Sequence, residues 1–251
     1  MRKVKFNKIL KKDKAIFLAY DQGLEHGPTD FNNKNANPEY IIDIAKKGGF
    51  NAVIFQKGIA QKYKAELKKA GVPLILKLNG KTNLVKEEPV SRQLCTVKEA
   101  IRLGAVAVGY TIYIGSKYEH IMMHEFQEIE REAHSRGLPV IAWIYPRGSG
   151  VRRKSSRELM AYAARTGLEI GADIIKIKYN GKKQDLKWAI KSAGKTKVVI
   201  AGGIKKDEKL FLKQLKEIMD AGAIGLAVGR NIWQNKEPLK ITKKIKKVIW
   251  G

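Results

Sequence analysis

A single cysteine, Cys95, stands in 251 residues. One thiol cannot form an intrachain disulfide, which excludes a disulfide-stapled secreted scaffold and points to a reducing compartment, the cytoplasm. Nowhere do about 18 apolar residues run together, the length a membrane-spanning helix needs. The start, Met1-Arg2-Lys3-Val4-Lys5-Phe6-Asn7-Lys8, is followed by more lysines and not by an apolar stretch, so neither a signal peptide nor a membrane span is expected. Histidine is scarce, with only His26, His120, His124 and His134. His120 and His124 have i,i+4 spacing, but two ligands without a third at a strand end make a poor metal site; a solvated or core pair is the simpler account, and no metal is expected. Acids are few as well: 24 Asp and Glu against 50 Lys and Arg leave a net charge of +26. That balance favours anionic ligands and raises nucleic acid as a partner. The lysines are spread along nearly every predicted helix, however, without an arginine-rich arm, zinc-ligand spacing or an aromatic-and-basic strand motif, so no specific nucleic-acid role is expected.

What is present is an alternation. Short apolar, β-branched runs predict strands at Ala15 to Tyr20, Ala52 to Phe55, Pro73 to Leu78, Ala105 to Tyr110, Pro139 to Ile144, Asp173 to Lys178, Lys197 to Ala201 and Ile224 to Val228. Amphipathic patterns between them, such as Ser116 to Arg136, Ser155 to Ile170, Asp207 to Asp220 and Pro238 to Val248, predict helices. Strict β–α alternation means a parallel sheet with helices outside it. Eight units at this length fit one closed (β/α)8 TIM barrel of the α/β class, a single domain over 1–251. The rival Rossmann sheet needs Gly-x-Gly-x-x-Gly after its first strand, and the first strand here runs instead into Tyr20-Asp21-Gln22-Gly23-Leu24-Glu25-His26-Gly27-Pro28.

In such a barrel the site lies at the carboxyl ends of the strands. The sixth strand reads Asp173-Ile-Ile-Lys-Ile-Lys178, and the period of two puts Ile175 and Ile177 on one face and Ile174, Lys176 and Lys178 on the other. If the isoleucines pack under the helices, both lysines point inward. Each ammonium then disfavours the other and burial disfavours both, leaving a neutral amine able to form an imine with a ketone. A lone lysine there could equally be a salt-bridged core residue or rise to solvent. Trp143 and Tyr145 share a face at the mouth of the fifth strand, where an indole can wall a sugar pocket and a phenol can shuttle a proton; simple packing is the alternative. Phe17, Ala19 and Asp21 share a face of the first strand, so Asp21 reaches the mouth among lysines that keep it ionised, unless it is only a turn former before Gly23. Lys77 is a charge in a strand expected to be apolar, explained at its simplest by an ion pair with Asp21. Strands seven and eight end in Ala201-Gly202-Gly203-Ile204-Lys205 and Val228-Gly229-Arg230-Asn231, where glycine backbones, a helix start and the cations Lys205 and Arg230 suit a phosphate. The C-terminal basic helix, Lys240 to Trp250, could lie on a membrane, but its simpler role is the last outer helix.

Together these segments resemble the archaeal-type class I fructose-bisphosphate aldolases of the DhnA-type family. The likeness rests on Ala19-Tyr-Asp-Gln-Gly-Leu-Glu-His-Gly-Pro-Thr-Asp30, Lys77-Leu-Asn-Gly-Lys-Thr82, Val108-Gly-Tyr-Thr-Ile-Tyr-Ile-Gly-Ser116, Tyr145-Pro-Arg-Gly148, Lys176-Ile-Lys-Tyr179 and Val228-Gly-Arg-Asn-Ile-Trp233. The resemblance implies Lys176 as Schiff-base lysine, Tyr145 as the acid–base group at the enamine carbon and Asp21 as the aid to imine formation and carbon–carbon cleavage. It also implies Trp143 as a substrate wall and Gly202, Gly203, Gly229 and Arg230 as a phosphate cradle, with Lys77, Arg147, Lys178 and Lys205 completing the substrate-binding set. Lys178 would be the charge that depresses its neighbour; the pattern of the strand alone does not separate the two lysines. No cofactor is implied, the partner is a phosphorylated sugar, and family members form homo-oligomeric rings and double rings. Gln22, Ala201 and Ile204 depart from the His, Ser and Pro common at these positions. A close branch, the 2-amino-3,7-dideoxy-D-threo-hept-6-ulosonate synthases, shares the lysine, tyrosine and glycine loops, while Glu25-His26-Gly27-Pro28 looks like the fructose-bisphosphate branch. A basic nucleic-acid-binding protein is the alternative that rests on charge alone.

Overall fold

The computed structural model describes residues 3–251; Met1 and Arg2, which open the lysine-rich start of the chain, lie outside the described residues. Eight strands form a closed parallel barrel: β1 (Ala15–Ala19), β2 (Ala52–Gln56), β3 (Leu74–Lys77), β4 (Ala105–Ile112), β5 (Val140–Ile144), β6 (Ile174–Ile177), β7 (Lys197–Ala201) and β8 (Gly225–Val228). They stand around the barrel in chain order, and β8 returns to β1 with Ala15 opposite Gly225 and Leu18 opposite Val228. Each anticipated strand is therefore present, within two residues of its expected ends. Outer helices include Pro38–Gly48, Glu119–Ser135, Ser156–Glu169, Lys183–Ser192, Glu208–Asp220 and Pro238–Trp250.

Local chemistry fixes where these helices begin. Ser155 accepts from the Glu158 backbone N–H while Glu158 reaches back to the Ser155 backbone, and Thr96 with Glu99 repeats this capping box before the short helix Val97–Arg102. No helix among the described residues is long and apolar enough to cross a membrane. The helix Pro238–Trp250 buries Ile241, Thr242, Ile245 and Ile249 against the barrel, so its apolar stripe is already used.

The alternation of side chains divides the core in two. Ile16, Leu18, Val53, Leu76, Val108, Ala142, Ile175, Ile177, Ile200 and Val228 face the helices. Phe17, Ala19, Ile54, Ile75, Ala107, Ile141, Trp143, Ile174, Val199 and Ala227 fill the barrel. Ile9, fully buried, closes the floor from the N-terminal segment, with Phe6 and Leu10 packed beside it. Trp143 lies across the interior only because β4 offers it Gly109, where an added Cβ would fall 1.7 Å from the indole Cζ3. Beyond β3 the chain leaves the barrel, and Asn79 anchors it there: its Nδ2 donates to the carbonyls of Ser91 (2.9 Å) and Thr111 (2.8 Å), and its Oδ1 accepts from the Thr111 N–H (2.8 Å).

Candidate active site

Three charged side chains stand inside the barrel above an otherwise apolar interior layer: Asp21 just past β1, Lys77 ending β3, and Lys176 on β6. All are buried, with Lys176 6% exposed. They edge a cavity of about 300 Å³ at the carboxyl ends of the strands, which Trp143, Tyr145, Arg147, Lys178, Gly202, Gly203, Gly229 and Arg230 also line. Eleven of the twelve site residues anticipated from the sequence thus meet at one cavity.

The exception is Lys205. Its side chain is exposed and its Nζ donates to the Gln234 carbonyl (2.8 Å), while the next residue, Lys206, lines the cavity and donates to Gln214 Oε1 (2.5 Å). Strand parity stops at Ala201, and the loop turns at Gly203, whose φ of 70° belongs to the left-handed region. The helix expected to aim its dipole at this loop starts only at Glu208, and the Asp207 side chain already caps it by accepting from the Leu210 N–H (3.1 Å). What shapes the two glycine loops is Asn231: its Nδ2 donates to the carbonyls of Gly202 and Ile204 (both 2.9 Å), and its Oδ1 accepts from the Lys206 N–H (2.9 Å).

Electrostatics single out Lys176. Burial lowers its pKa to about 8; the Asp21 carboxylate holds it up and the Lys77 ammonium pushes it down. The depressing cation is thus Lys77 and not Lys178, which corrects the expectation from the strand pattern. Lys178 is exposed at the rim, 5.4 Å from the Tyr145 ring centre, with partial desolvation and Arg147 lowering its own pKa. Lys77 Nζ lies 3.3 Å from Asp21 Oδ2. Burial alone would raise the Asp21 pKa, but the charges of Lys176 and Lys77 outweigh it and keep the carboxylate ionised. Tyr145 is held well above the ordinary phenol range, first by burial and then by Asp21 and Glu25, so its O–H stays protonated and available as an acid. Lys176 Nζ sits 5.0 Å from the Trp143 ring centre, and the buried Trp143 Nε1 has no hydrogen-bond partner among the described residues.

The sequence reading did not single out Glu25, whose Oε1 accepts from Arg147 Nη1 at 2.5 Å and holds that guanidinium 5.0 Å from the Tyr113 ring centre. Across the mouth, Arg230 meets Asp30 at 3.4 Å, and Asp30 also meets His26 Nδ1 at 2.6 Å. The cations at both ends of the cavity are thereby oriented before any anion arrives. His120 and His124 lie exposed on the outer helix Glu119–Ser135, away from the cavity.

A buried amine with a pKa near neutrality, a carboxylate beside it and a protonated phenol can add to a carbonyl, expel water and move a proton at the adjacent carbon. Replacing Lys77 by methionine removes the cation that depresses Lys176. The amine attacks only when neutral, so kcat/KM rises with pH through its pKa of about 8; in the Lys77→Met protein this acid limb should move to higher pH. A pH–rate profile with an unmoved limb would show that Lys77 does not set the amine.

A family model described as DeoC/LacD family aldolase matches residues 15–235. The chain is 50% identical over 244 residues to the fructose-bisphosphate aldolase class 1 of Thermoproteus tenax, covering 96% of this chain and 91% of that one. It is 42% identical over 252 residues to the enzyme of the same description from Halobacterium salinarum, covering 100% and 95%. Among solved structures, an archaeal fructose-1,6-bisphosphate aldolase with its catalytic lysine covalently bound to the carbinolamine intermediate of the substrate superimposes with a TM-score of 0.92 at 48% identity, over 98% of both chains.

Proposed function

Because the chain belongs to the DeoC/LacD family of aldolases, we infer that it is a class I fructose 1,6-bisphosphate aldolase, a lyase that reversibly yields dihydroxyacetone phosphate and glyceraldehyde 3-phosphate through a Schiff base. The observation that carries the reading is Lys176, an interior amine with its pKa brought down to about 8. Its neutral Nζ attacks the C2 carbonyl of the open-chain ketose. Loss of water from the carbinolamine gives a protonated imine, and Asp21, ionised beside it, serves this proton traffic. The Asp21 carboxylate takes the C4 hydroxyl proton as the C3–C4 bond breaks, and the electron pair of that bond flows into the imine to leave a neutral enamine on Lys176 while the aldehyde departs. Tyr145 gives its phenolic proton to C3, and hydrolysis of the resulting protonated imine releases dihydroxyacetone phosphate, regenerates the neutral amine and returns a proton to the Tyr145 phenolate.

The two phosphates go to opposite ends of the cavity. One is received by the backbones of Gly202, Gly203 and Gly229 with Arg230 and Lys206, the other by Arg147 and Lys178, and Trp143 walls the sugar between them. One barrel domain over 1–251 suffices for all of this. The lone buried thiol fits the cytoplasm, and a homo-oligomeric ring or double ring is the assembly expected of the family.

The test is borohydride reduction in the presence of fructose 1,6-bisphosphate and EDTA, followed by peptide mapping. The expected product is a sugar-phosphate adduct on Lys176. An adduct on Lys178 would move the nucleophile. Trapping without net cleavage, but with transfer of the three-carbon unit to aspartate semialdehyde, would favour the related synthase.

A further inference from the structure

The amino-terminal end of the barrel, opposite the reaction cavity, carries a charge that catalysis does not use. Residues 3–14 hold six lysines and a single acid, Asp13. One side of this segment is the floor plug already described, with Ile9 buried and Phe6 and Leu10 packed beside it. The other side presents Lys3, Lys5, Lys8, Lys11 and Lys12, all exposed. Asp13 is taken by Lys197 at 3.1 Å, and none of the five exposed lysines forms an ion pair among the described residues. Lys12 and Asp13 both have positive φ, 48° and 55°, so the chain makes a tight turn that projects its charges away from the barrel.

The end of the helix Pro238–Trp250 extends this face. Lys14 Nζ donates to the Ile249 carbonyl (2.5 Å) and Trp250 Nε1 donates to the Lys11 carbonyl (3.1 Å), which brings the exposed Lys247 alongside. Cations in the last turn of a helix are explained by the helix dipole. The lysines of residues 3–14 are not, because apart from the single 3-10 turn Phe6–Lys8 the segment has no helix.

We propose that this face is a sequence-independent docking surface for the phosphate backbone of double-stranded nucleic acid. A small anion would need a concave site, whereas the reaction cavity and the apolar cleft lined by Tyr20, Phe31, Ile59 and Tyr63 both lie elsewhere. A bilayer would need an apolar wedge, a protein interface an apolar centre, and single strands aromatic platforms for their bases. The large exposed apolar side chains, Leu24, Leu84, Val85, Leu94, Tyr162, Trp188, Ile204, Leu210 and Leu239, all lie outside residues 3–14 and the last turn of the C-terminal helix. An array of exposed ammonium groups whose apolar neighbours, Phe6, Leu10 and Trp250, are half-buried matches a polymer with one charge per roughly 1.7 Å of axis, bound by counterion release.

The test measures binding of a fluorescent duplex of roughly 30 base pairs across a salt series. Three full-length proteins are compared: the parent; Lys5→Gln, Lys8→Gln, Lys11→Gln and Lys12→Gln combined; and a control losing equal charge from exposed lateral positions, Lys62→Gln, Lys64→Gln, Lys98→Gln and Lys187→Gln. The floor variant should keep its aldolase activity, weaken duplex binding at least about tenfold and lower the logarithmic salt slope by about 3 to 4, while the control stays within about twofold. Equal losses in both variants would reduce the effect to net charge and overturn the proposal. So would phosphatidylserine vesicles that compete as well as the duplex, since they would make an anionic lipid surface the partner.

Discussion

Replacing Lys176 by methionine is expected to abolish cleavage of fructose 1,6-bisphosphate, with kcat lowered by about 10⁴-fold or more, the scale on which a covalent nucleophile is missed. Methionine keeps most of the volume that Lys176 fills beside Trp143 and has no charge to bury, so folding should survive and the loss should be chemical. Two readouts check this: a coupled assay for the triose phosphates and borohydride trapping, both of which should read zero. Lys178→Met, at the rim and outside the interior charge cluster, should still form the adduct and lose mainly affinity for the phosphorylated substrate. If Lys178→Met is the dead enzyme and Lys176→Met the active one, the two lysines have to be exchanged.

Tyr145→Phe removes a single oxygen from the cavity and should cost about 10²- to 10⁴-fold in kcat, the usual worth of a placed proton donor. The defect should be confined to one half-reaction. In the proposed mechanism imine formation uses the Lys176 amine and the Asp21 carboxylate, so dihydroxyacetone phosphate should still be trapped. In the same mechanism the phenol protonates the enamine carbon, so exchange of the C3 proton of dihydroxyacetone phosphate with deuterated solvent should slow by the same factor as kcat. The phenol pKa lies well above its ordinary range, because of burial and the carboxylates of Asp21 and Glu25, so the group stays protonated through neutral pH and contributes no limb there. Exchange at the parental rate in Tyr145→Phe would assign the proton to another residue.

How much of this was legible in the sequence depended on whether a residue sat on a strand or past its end. Alternation along Asp173 to Lys178 placed Lys176 inside and Ile175 and Ile177 under the helices, and both clusters of the core agree. The same rule placed Phe17, Ala19 and Asp21, because a strand has one period and a barrel has one inside. Past Ala201 the rule lapses: Gly203 turns the chain, and Lys206, not Lys205, lines the cavity. Charge coupling across the barrel was also hidden. Lys77 depresses Lys176 although 99 positions separate them in the chain, and only barrel closure brings β3 and β6 to face one cavity. Glu25 and Arg147 are farther apart still, 122 positions, and their ion pair joins the loops after β1 and β5. Motifs can nominate such residues, but their pairing is a property of the closed barrel.

That closure also sets an order of events during synthesis. β1 pairs with β2 on one side and with β8 on the other, and Gly225 lies so close to β1 that an added Cβ would fall 1.8 Å from the Ala15 carbonyl oxygen. The strand that carries Asp21 to the cavity therefore waits, with one edge unpaired, until residues 225–228 have left the ribosome. Long-range pairing of this kind is slow and leaves an exposed edge open to mispairing in the meantime. The chain carries the Asp21 carboxylate just past its first barrel strand but can close the cavity around it only when the last barrel strand docks against that first one.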